Sequence, residues 1–158
     1  MKIGVVSDTH SIAVPKQVLA AFRNVDLIIH AGDFADVGTF KLFAKIKEIK
    51  GVWGNADGDD IRKLLPARQM VTAGKFKIGV YHGEGARAKV VERVQQEFKK
   101  DKLDAVVFGH SHQAFNEMIK GVLYFNPGSP NDTVCASYCS YGMLEVTDKG
   151  IKGTIIKL

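Results

Sequence analysis

Residues 3–10 have the sequence IGVVSDTH, an apolar run that ends abruptly in an acidic residue and a histidine. A short apolar run bounded by polar residues is typical of a buried strand. The same pattern occurs four more times: Gly32-Asp33 follows Leu27–Ile29, Gly54–Asp57 follows Val52-Trp53, His82-Gly83 follows Ile78–Tyr81, and Gly109–His112 follows Val106–Phe108. These strand ends determine both the fold and the functional site that we expect.

The first third of the chain alternates between strand and helix patterns. Strands are predicted at Lys2–Ser7, Asp26–His30 and Lys50–Trp53. Apolar residues at helical spacing predict helices at Pro15–Phe22 and Thr39–Lys47. Alternation of strands and helices is typical of a parallel sheet.

The rest of the chain is dominated by strand patterns. The predicted strands are Gln69–Ala73, Lys75–Tyr81, Asp104–Phe108, Ala114–Ile119, Val122–Asn126, Ser137–Val146 and Gly150–Leu158. One clear helix, Ala86–Lys100, carries an apolar stripe on one face. We therefore expect one α/β domain over residues 1–158, built as a two-sheet sandwich with helices outside.

The composition of the 158 residues, with 46% hydrophobic and 25% charged residues, is typical of a soluble globular protein. No segment is apolar over the roughly 18 residues that a membrane helix needs, and the N-terminus lacks the shape of a signal peptide. We therefore expect a cytoplasmic protein. The net charge of +5 suits an anionic substrate, but the basic residues are dispersed, so no stable nucleic-acid partner is expected.

The polar clusters should converge, because the carboxyl ends of strands line the binding crevice of open α/β sheets. Imidazole nitrogens and carboxylate or amide oxygens suit divalent transition metals, and no thiolate lies among them, which argues against a structural zinc site. Any single cluster is better explained as a turn or a hydrogen-bonded core histidine. Five clusters at strand ends together favour a metal centre.

The order of these motifs resembles that of the calcineurin-like metallophosphoesterases. The matching motifs are Asp8-x-His10, Gly32-Asp33, Gly54-Asn55-x-Asp57, His82 and Gly109-His110-x-His112. The short chain and the sequence Asn126–Ser129 resemble the small prokaryotic phosphodiesterase branch, and the motifs span most of the chain. The resemblance implies a four-layer α/β/β/α sandwich of two mixed sheets with flanking helices.

The resemblance also implies two divalent metal ions, with Mn favoured over Ni, Fe, Zn or Co. It assigns Asp8, His10, Asp33 and His112 to one ion, and Asp33, Asn55, His82 and His110 to the other, with Asp33 bridging. A hydroxide between the ions would attack phosphorus. The candidate catalytic residues are Asp33, Asn55 and Asp57, and Asp57 is expected to orient Asn55 or a neighbouring group.

Two positions depart from the family pattern. Many members have a histidine directly after the asparagine, where it can protonate the leaving group, but this chain has Ala56. Without that acid, we expect a preference for leaving groups of low pKa. Many relatives have His-Gly-His where this chain has His82-Gly83-Glu84, and we expect Glu84 to face solvent.

Several other features have simpler explanations. His30 is either a support for the site or a buried structural histidine. The segment Gly83-x-Gly85-x-x-Ala88 matches a dinucleotide-binding pattern but lies outside the first βαβ unit. We interpret Cys135 and Cys139 as ordinary small apolar residues rather than a disulfide. The sequon at Asn131–Thr133 has no meaning in a cytoplasmic protein.

The resulting hypothesis is a metal-dependent phosphodiesterase that acts on a small phosphodiester, for which a nucleotide is one candidate. A homo-oligomer is compatible with it. One alternative is a non-catalytic interaction scaffold, since the same fold occurs in a retromer coat subunit with a degraded metal site. Another is a metal-dependent nuclease. Related nucleases usually carry extra substrate-binding segments, for which this chain has little room. The completeness of the seven ligand positions favours the enzyme.

Overall fold

The computed structural model of the protein describes residues 1–10 and 13–158. Its strands are β1 (Lys2–Val6), β2 (Leu27–His30), β3 (Ile49–Gly51), β4 (Arg68–Ala73), β5 (Phe76–Tyr81), β6 (Ala105–Val107), β7 (Phe115–Ile119), β8 (Val122–Asn126), β9 (Ser140–Thr147) and β10 (Gly150–Lys157). Its helices are α1 (Lys16–Phe22), α2 (Val37–Ala44), α3 (Asp59–Leu64) and α4 (Val90–Glu97).

The strands form two five-stranded mixed sheets. The first has the order β10-β9-β1-β2-β3, in which β1, β2 and β3 are parallel and β9 runs antiparallel to β1. The second has the order β4-β5-β6-β8-β7, in which β5, β6 and β8 are parallel and the two edge strands are antiparallel. The predicted α/β fold with two mixed sheets is confirmed.

Alternation along the strands separates three apolar layers. Ile3 and Val5 of β1 point into the core between the sheets, together with Val107 of β6 and Phe125 of β8. The next residue in line, Val6, faces outward and packs with buried residues of α1 and α2. On the far side, outward residues of β6 and β8 pack against α4. The result is the predicted α/β/β/α sandwich.

The helix predicted at Ala86–Lys100 is shorter than expected. The chain forms a single 3₁₀ turn at Arg87–Lys89, and regular helix runs only from Val90 to Glu97. Ala86 is extended, and the buried Phe98 leaves helical geometry, so the lysines that follow lie outside the helix. None of the helices in residues 1–10 and 13–158 is long and apolar enough to cross a bilayer.

Other elements also differ from the prediction. The helix expected at Thr39–Lys47 runs from Val37 to Ala44, because Asp36 caps its start by accepting the amide of Thr39. The strand expected at Lys50–Trp53 is Ile49–Gly51, because the amide of Trp53 has left the sheet and donates to the carbonyl of Pro66. The helix α3 was not predicted, because Ile61 is its one buried residue and six residues cannot display an apolar stripe.

We expect the fit of Phe125 between the sheets to be a main source of stability. Its fully buried ring faces Gly142 and Gly153 of the opposite sheet, where an added Cβ would overlap the ring. Phe125→Ala should lower the free energy of unfolding by about 3–5 kcal/mol, measured by urea denaturation. Met118→Ala, at a side chain that is 62% exposed on the neighbouring strand, should cost less than about 0.5 kcal/mol. Equal losses would contradict this account of the core.

Candidate metal centre

The predicted site residues gather at one edge of the sandwich, where parallel strands from both sheets end. Asp8 follows β1, Asp33 follows β2, and His82 follows β5. Backbone hydrogen bonds tie these loops together: Asp8 N–H donates to the carbonyl of Gly32, and Gly109 N–H donates to that of His82. The expected convergence of the five clusters is therefore present in the fold.

Asp8 and Asp33 form the acidic centre of the site. Their exposed fractions are 0% and 2%. Asp33 Oδ1 accepts the amide of Ala56 at 2.8 Å, and the carboxylate of Asp8 accepts the amide of His110 at 3.1 and 3.2 Å. One oxygen of each carboxylate, Oδ1 of Asp8 and Oδ2 of Asp33, faces the imidazoles of the site.

His82 presents a buried lone pair to these carboxylates. Its Nδ1 donates to the carbonyl of Ala31 at 2.7 Å, so in the neutral ring the lone pair is on Nε2. Nε2 lies 3.3 Å from Asp33 Oδ2, yet it is one of two buried side-chain polar atoms among the described residues that have no hydrogen-bond partner. A bound cation would satisfy this atom and the carboxylate together.

His10 and His112 face each other across the same centre, with their Nε2 atoms 3.1 Å apart. Nδ1 of His112 contacts the carboxylate of Asp132, and its Nε2 lies 3.3 Å from Asp8 Oδ1. A carboxylate behind a histidine fixes its tautomer and directs the other nitrogen toward a metal. Asp132 was missed in the sequence, where it appeared only within a sequon, and no local signal pairs it with a histidine 20 residues earlier.

The separations between these atoms fit bound divalent cations. Two three-residue groups, Asp8-His10-His112 and Asp8-Asp33-His82, each bring one ligand atom per residue within 4.8 Å of one another. The closest pairs are 3.1–3.3 Å apart. Neighbouring ligands of one ion held at about 2.1 Å are expected about 3.0–3.4 Å apart. Asp8 belongs to both groups. From the sequence, only Asp33 was expected to be shared between the two ligand sets.

Asn55 and His110, expected to complete the second set, are paired on the exposed side of the site. His110 Nε2 lies 2.7 Å from the carbonyl of Gly85, and Nδ1 lies 2.8 Å from Asn55 Oδ1. When His110 Nε2 donates to Gly85, the lone pair of His110 Nδ1 faces a lone pair of Asn55 Oδ1. A cation bound to both atoms would remove this repulsion. The structure places both residues beside the buried groups, and His110 lies in neither of the two clusters.

Asp57 supports the site from behind, as expected, although its partners are backbone amides rather than Asn55. Its buried carboxylate accepts N–H groups of Asp33 at 2.9 Å, Ala35 at 2.7 Å and Gly54 at 2.8 Å. Burial, with the charge of Asp33 nearby, raises the pKa of Asp57 against the effect of these donors. Asp57 therefore fixes the backbone on either side of Asp33.

His30 supports the loops rather than contacting the acidic centre. Its fully buried ring stacks on Phe34 at 3.5 Å, its Nδ1 accepts the amide of Gly32, and its Nε2 lies 3.2 Å from Thr9 Oγ1. Burial and the charges of neighbouring histidines lower the pKa of His30, so the ring is neutral. It links the loop after β1 to the loop after β2.

The charges of the centre are strongly coupled. Burial opposes ionisation of Asp33, but the neighbouring imidazole of His82 and the amide of Ala56 lower its pKa overall. Burial likewise opposes protonation of His112, but Asp8 and Asp132 raise the pKa of that ring. Anionic oxygens thus require a positive partner, which protons or metal ions can provide.

The other sequence features lie around this centre. Glu84 is 65% exposed at its side chain and lies 3.7 Å from Arg93, so it faces solvent as expected. Cys135 and Cys139 are free thiols; Cys135 is exposed, which differs from the interpretation as an ordinary apolar residue.

Comparison with known proteins agrees with this geometry. Residues 1–149 match the model of the calcineurin-like phosphoesterase superfamily domain. A probable metallophosphoesterase of Methanocaldococcus jannaschii is 35% identical, over 85% of this chain and 71% of that protein. A phosphodiesterase of the same organism is 27% identical, over 99% of this chain and 100% of that protein.

Solved structures show the same fold. An archaeal phosphodiesterase aligns with a TM-score of 0.77 at 25% identity, covering 99% of this chain and 100% of that one. Vps29 of Chaetomium thermophilum aligns with a TM-score of 0.78 at 17% identity, covering 99% and 98%, which is a likeness of fold alone.

The hydrogen bonds of Asp57 lead to a prediction about stability. Asp57→Ala would leave the buried amides of Asp33 and Gly54 without their acceptor, so the free energy of unfolding should fall by about 3 kcal/mol. The measurement is urea denaturation in the presence of a chelator, which removes any contribution from bound metal. Asp60→Ala, at an exposed position of α3, is the matched control and should change stability little. A loss for Asp57→Ala no larger than that of the control would be inconsistent with this supporting role.

Proposed function

We propose that this chain, which belongs to the calcineurin-like phosphoesterase superfamily, is a phosphodiesterase that uses two divalent metal ions. The observation that carries the proposal is the buried lone pair of His82 Nε2, which faces the carboxylate of Asp33 without a hydrogen-bond partner. Family membership and the phosphodiesterase relative support a hydrolase. The substrate class and the number of metal ions are the parts that we propose.

We assign the ligands to two overlapping sets. Asp8, His10, Asp33 and His112 hold one ion, and Asp33, Asn55, His82 and His110 hold the other, with Asp8 positioned close to both. When bound, the ions would supply a hydroxide nucleophile at neutral pH and offset negative charge on the phosphoryl group. We favour Mn among the divalent ions that tolerate such ligands.

The residues of the chain would position both the ions and the substrate. Asp132 and the carbonyl of Ala31 hold His112 and His82 with their Nε2 atoms toward the centre. Asn55 and His110 lie on the exposed side, which is the side open to a phosphodiester. At Ala56 the backbone amide is committed to Asp33 and the methyl side chain has no ionisable proton, so this position cannot supply a general acid.

No observation favours the interaction scaffold over the enzyme. The Vps29 structures share the fold at identities of 16–22%, while all seven proposed ligand positions of this chain retain groups that can bind metal. The expected single domain, the cytoplasmic location and the possible homo-oligomer remain predictions.

Removal of the shared carboxylate tests the metal centre directly. Wild-type protein stripped with a chelator should bind two Mn²⁺ per chain by calorimetry. Asp33→Asn should weaken binding by roughly 100-fold or more and abolish hydrolysis, because loss of even a supporting partner costs about 10–100-fold. His110→Ala should also abolish hydrolysis. Asp148→Asn, at an exposed turn, is the matched control and should bind metal as the wild type does. Unchanged metal affinity in Asp33→Asn would refute the assignment.

The absence of a proton donor at Ala56 predicts a steep dependence on the leaving group. With metal saturating, hydrolysis of a series of aryl and alkyl diesters should slow as the pKa of the leaving alcohol rises. Ala56→His should help the poorest leaving groups most, by less than the roughly 10²–10⁴-fold that general acids usually contribute. Ala20→His, at an exposed position of α1, serves as the control. A flat dependence in a wild-type enzyme limited by chemistry would mean that another residue donates the proton.

A further inference from the structure

A cavity of about 400 Å³ lies beside the metal centre, beneath the start of α4. Its walls include Val90 and Val91 of α4 and the rings of Phe108 and Phe115, whose centroids are 6.0 Å apart. Ligand pockets usually measure about 300–1,000 Å³ and combine apolar walls with a few polar groups. The size and lining of this cavity therefore suit a flat apolar group.

The cavity shares its wall with the metal-binding loop. Ser111, between the proposed ligands His110 and His112, lines it, and so does Gln113. Gln113 in turn donates to the carbonyl of Cys135 at 2.5 Å, so the segment after Asp132 closes the same wall. A substrate bound at the metal centre would have this cavity next to it.

Arg87 provides a positive charge at the mouth of the cavity. It is exposed and lines the cavity, and contact with Cys135 together with the charges of Asp132 and Asp8 raises its pKa. Arg87 lines the same cavity as Ser111, the residue between the proposed ligands His110 and His112. A guanidinium is well suited to bind phosphate oxygens.

We propose that this cavity binds an aromatic ester group of the phosphodiester substrate and that Arg87 at its mouth contacts the phosphate. The proposal rests on the phosphodiesterase function above and specifies its substrate class as diesters that carry at least one flat aromatic group. It agrees with the absence of a proton donor at Ala56, because an aryl oxygen leaves without protonation more readily than an alkyl oxygen.

Inert phosphinates separate binding from hydrolysis. Diphenylphosphinate and dimethylphosphinate are both monoanions with P–C bonds, and they differ only in the rings. Calorimetry with the metal-loaded protein should show diphenylphosphinate binding roughly tenfold tighter or more, as burial of one ring implies. Ala88→Phe, and independently Val91→Phe, should fill the cavity and remove this preference. Ala20→Phe, on the exposed side of α1, is the matched control and should keep it.

Arg87 is tested with the same two ligands. Arg87→Gln should weaken both phosphinates by a similar factor, because the proposed contact is to the phosphate group, and Arg87→Lys should restore part of the loss. Circular dichroism and urea denaturation establish that each variant is folded. A preference for diphenylphosphinate that survives both cavity-filling variants would overturn the proposal, and so would equal binding of the two ligands by the wild type.

The source of the aromatic group is distinguished by a competition experiment. The competitor is the methyl ester of adenosine 5′-phosphate. If it displaces diphenylphosphinate from the wild type but not from Ala88→Phe, a nucleobase is an acceptable occupant of the cavity. Failure to displace it restricts the occupant to simple aryl groups. The cavity itself is tested by the phosphinate preference and by its loss in the cavity-filling variants.

Failure of the cavity and failure of the enzyme give different results. Metal-dependent hydrolysis of bis(p-nitrophenyl) phosphate by the wild type tests the proposed function. Hydrolysis without any phosphinate preference overturns the cavity alone. In a third outcome, the wild type hydrolyses nothing and still shows a phosphinate preference that Ala88→Phe abolishes. That result supports the cavity as a binding site and overturns the proposed phosphodiesterase activity.

Discussion

Two buried carboxylates, Asp8 and Asp33, impose the constraint on which the rest of the site depends. Burial of an ionised carboxylate is costly unless positive charge or hydrogen bonds compensate it. Each carboxylate receives a backbone amide, and one oxygen of each faces the nitrogens of three histidines. Two of those histidines have their Nδ1 committed to a carbonyl or a carboxylate. The arrangement therefore concentrates electron pairs on a small volume, which favours the binding of cations.

The backbone of the loops is strained to achieve this arrangement. Five of the seven proposed ligands have positive φ angles of 48–67°: Asp8, His10, Asp33, His110 and His112. Such conformations cost about 1–3 kcal/mol each for a residue with a side chain, and they persist only where the surroundings enforce them. Here Asp57 and His30 hold the loop around Asp33, and Ser129 donates to the carbonyl of Asp8 at 2.8 Å. These supporting residues thus hold the backbone of the ligand-bearing loops in place.

The sequence predicted what depends on local pattern and missed what depends on contacts between distant segments. Strand ends that carry polar clusters predicted the two sheets and the converging ligands, because alternation and strand direction are visible in a few residues. The role of Asp132 and the central place of Asp8 follow from how loops of different strands meet, which no local pattern records. The helix α3 was missed because a single buried residue produces no periodicity.

The site straddles the two sheets, and this links its geometry to the core. The carboxylates and His10 follow strands of the first sheet, whereas His82, His110 and His112 follow strands of the second. Contacts across the junction, such as His82 to the carbonyl of Ala31, set the distance between carboxylate and imidazole ligands. The apolar layer between the sheets is formed without any of these polar groups. The core can therefore maintain the fold when ligands are replaced, whereas the metal centre cannot keep its geometry if the sheets shift. A close likeness of fold, such as that to Vps29, therefore carries no information about activity. The evidence for function is in the ligand residues themselves.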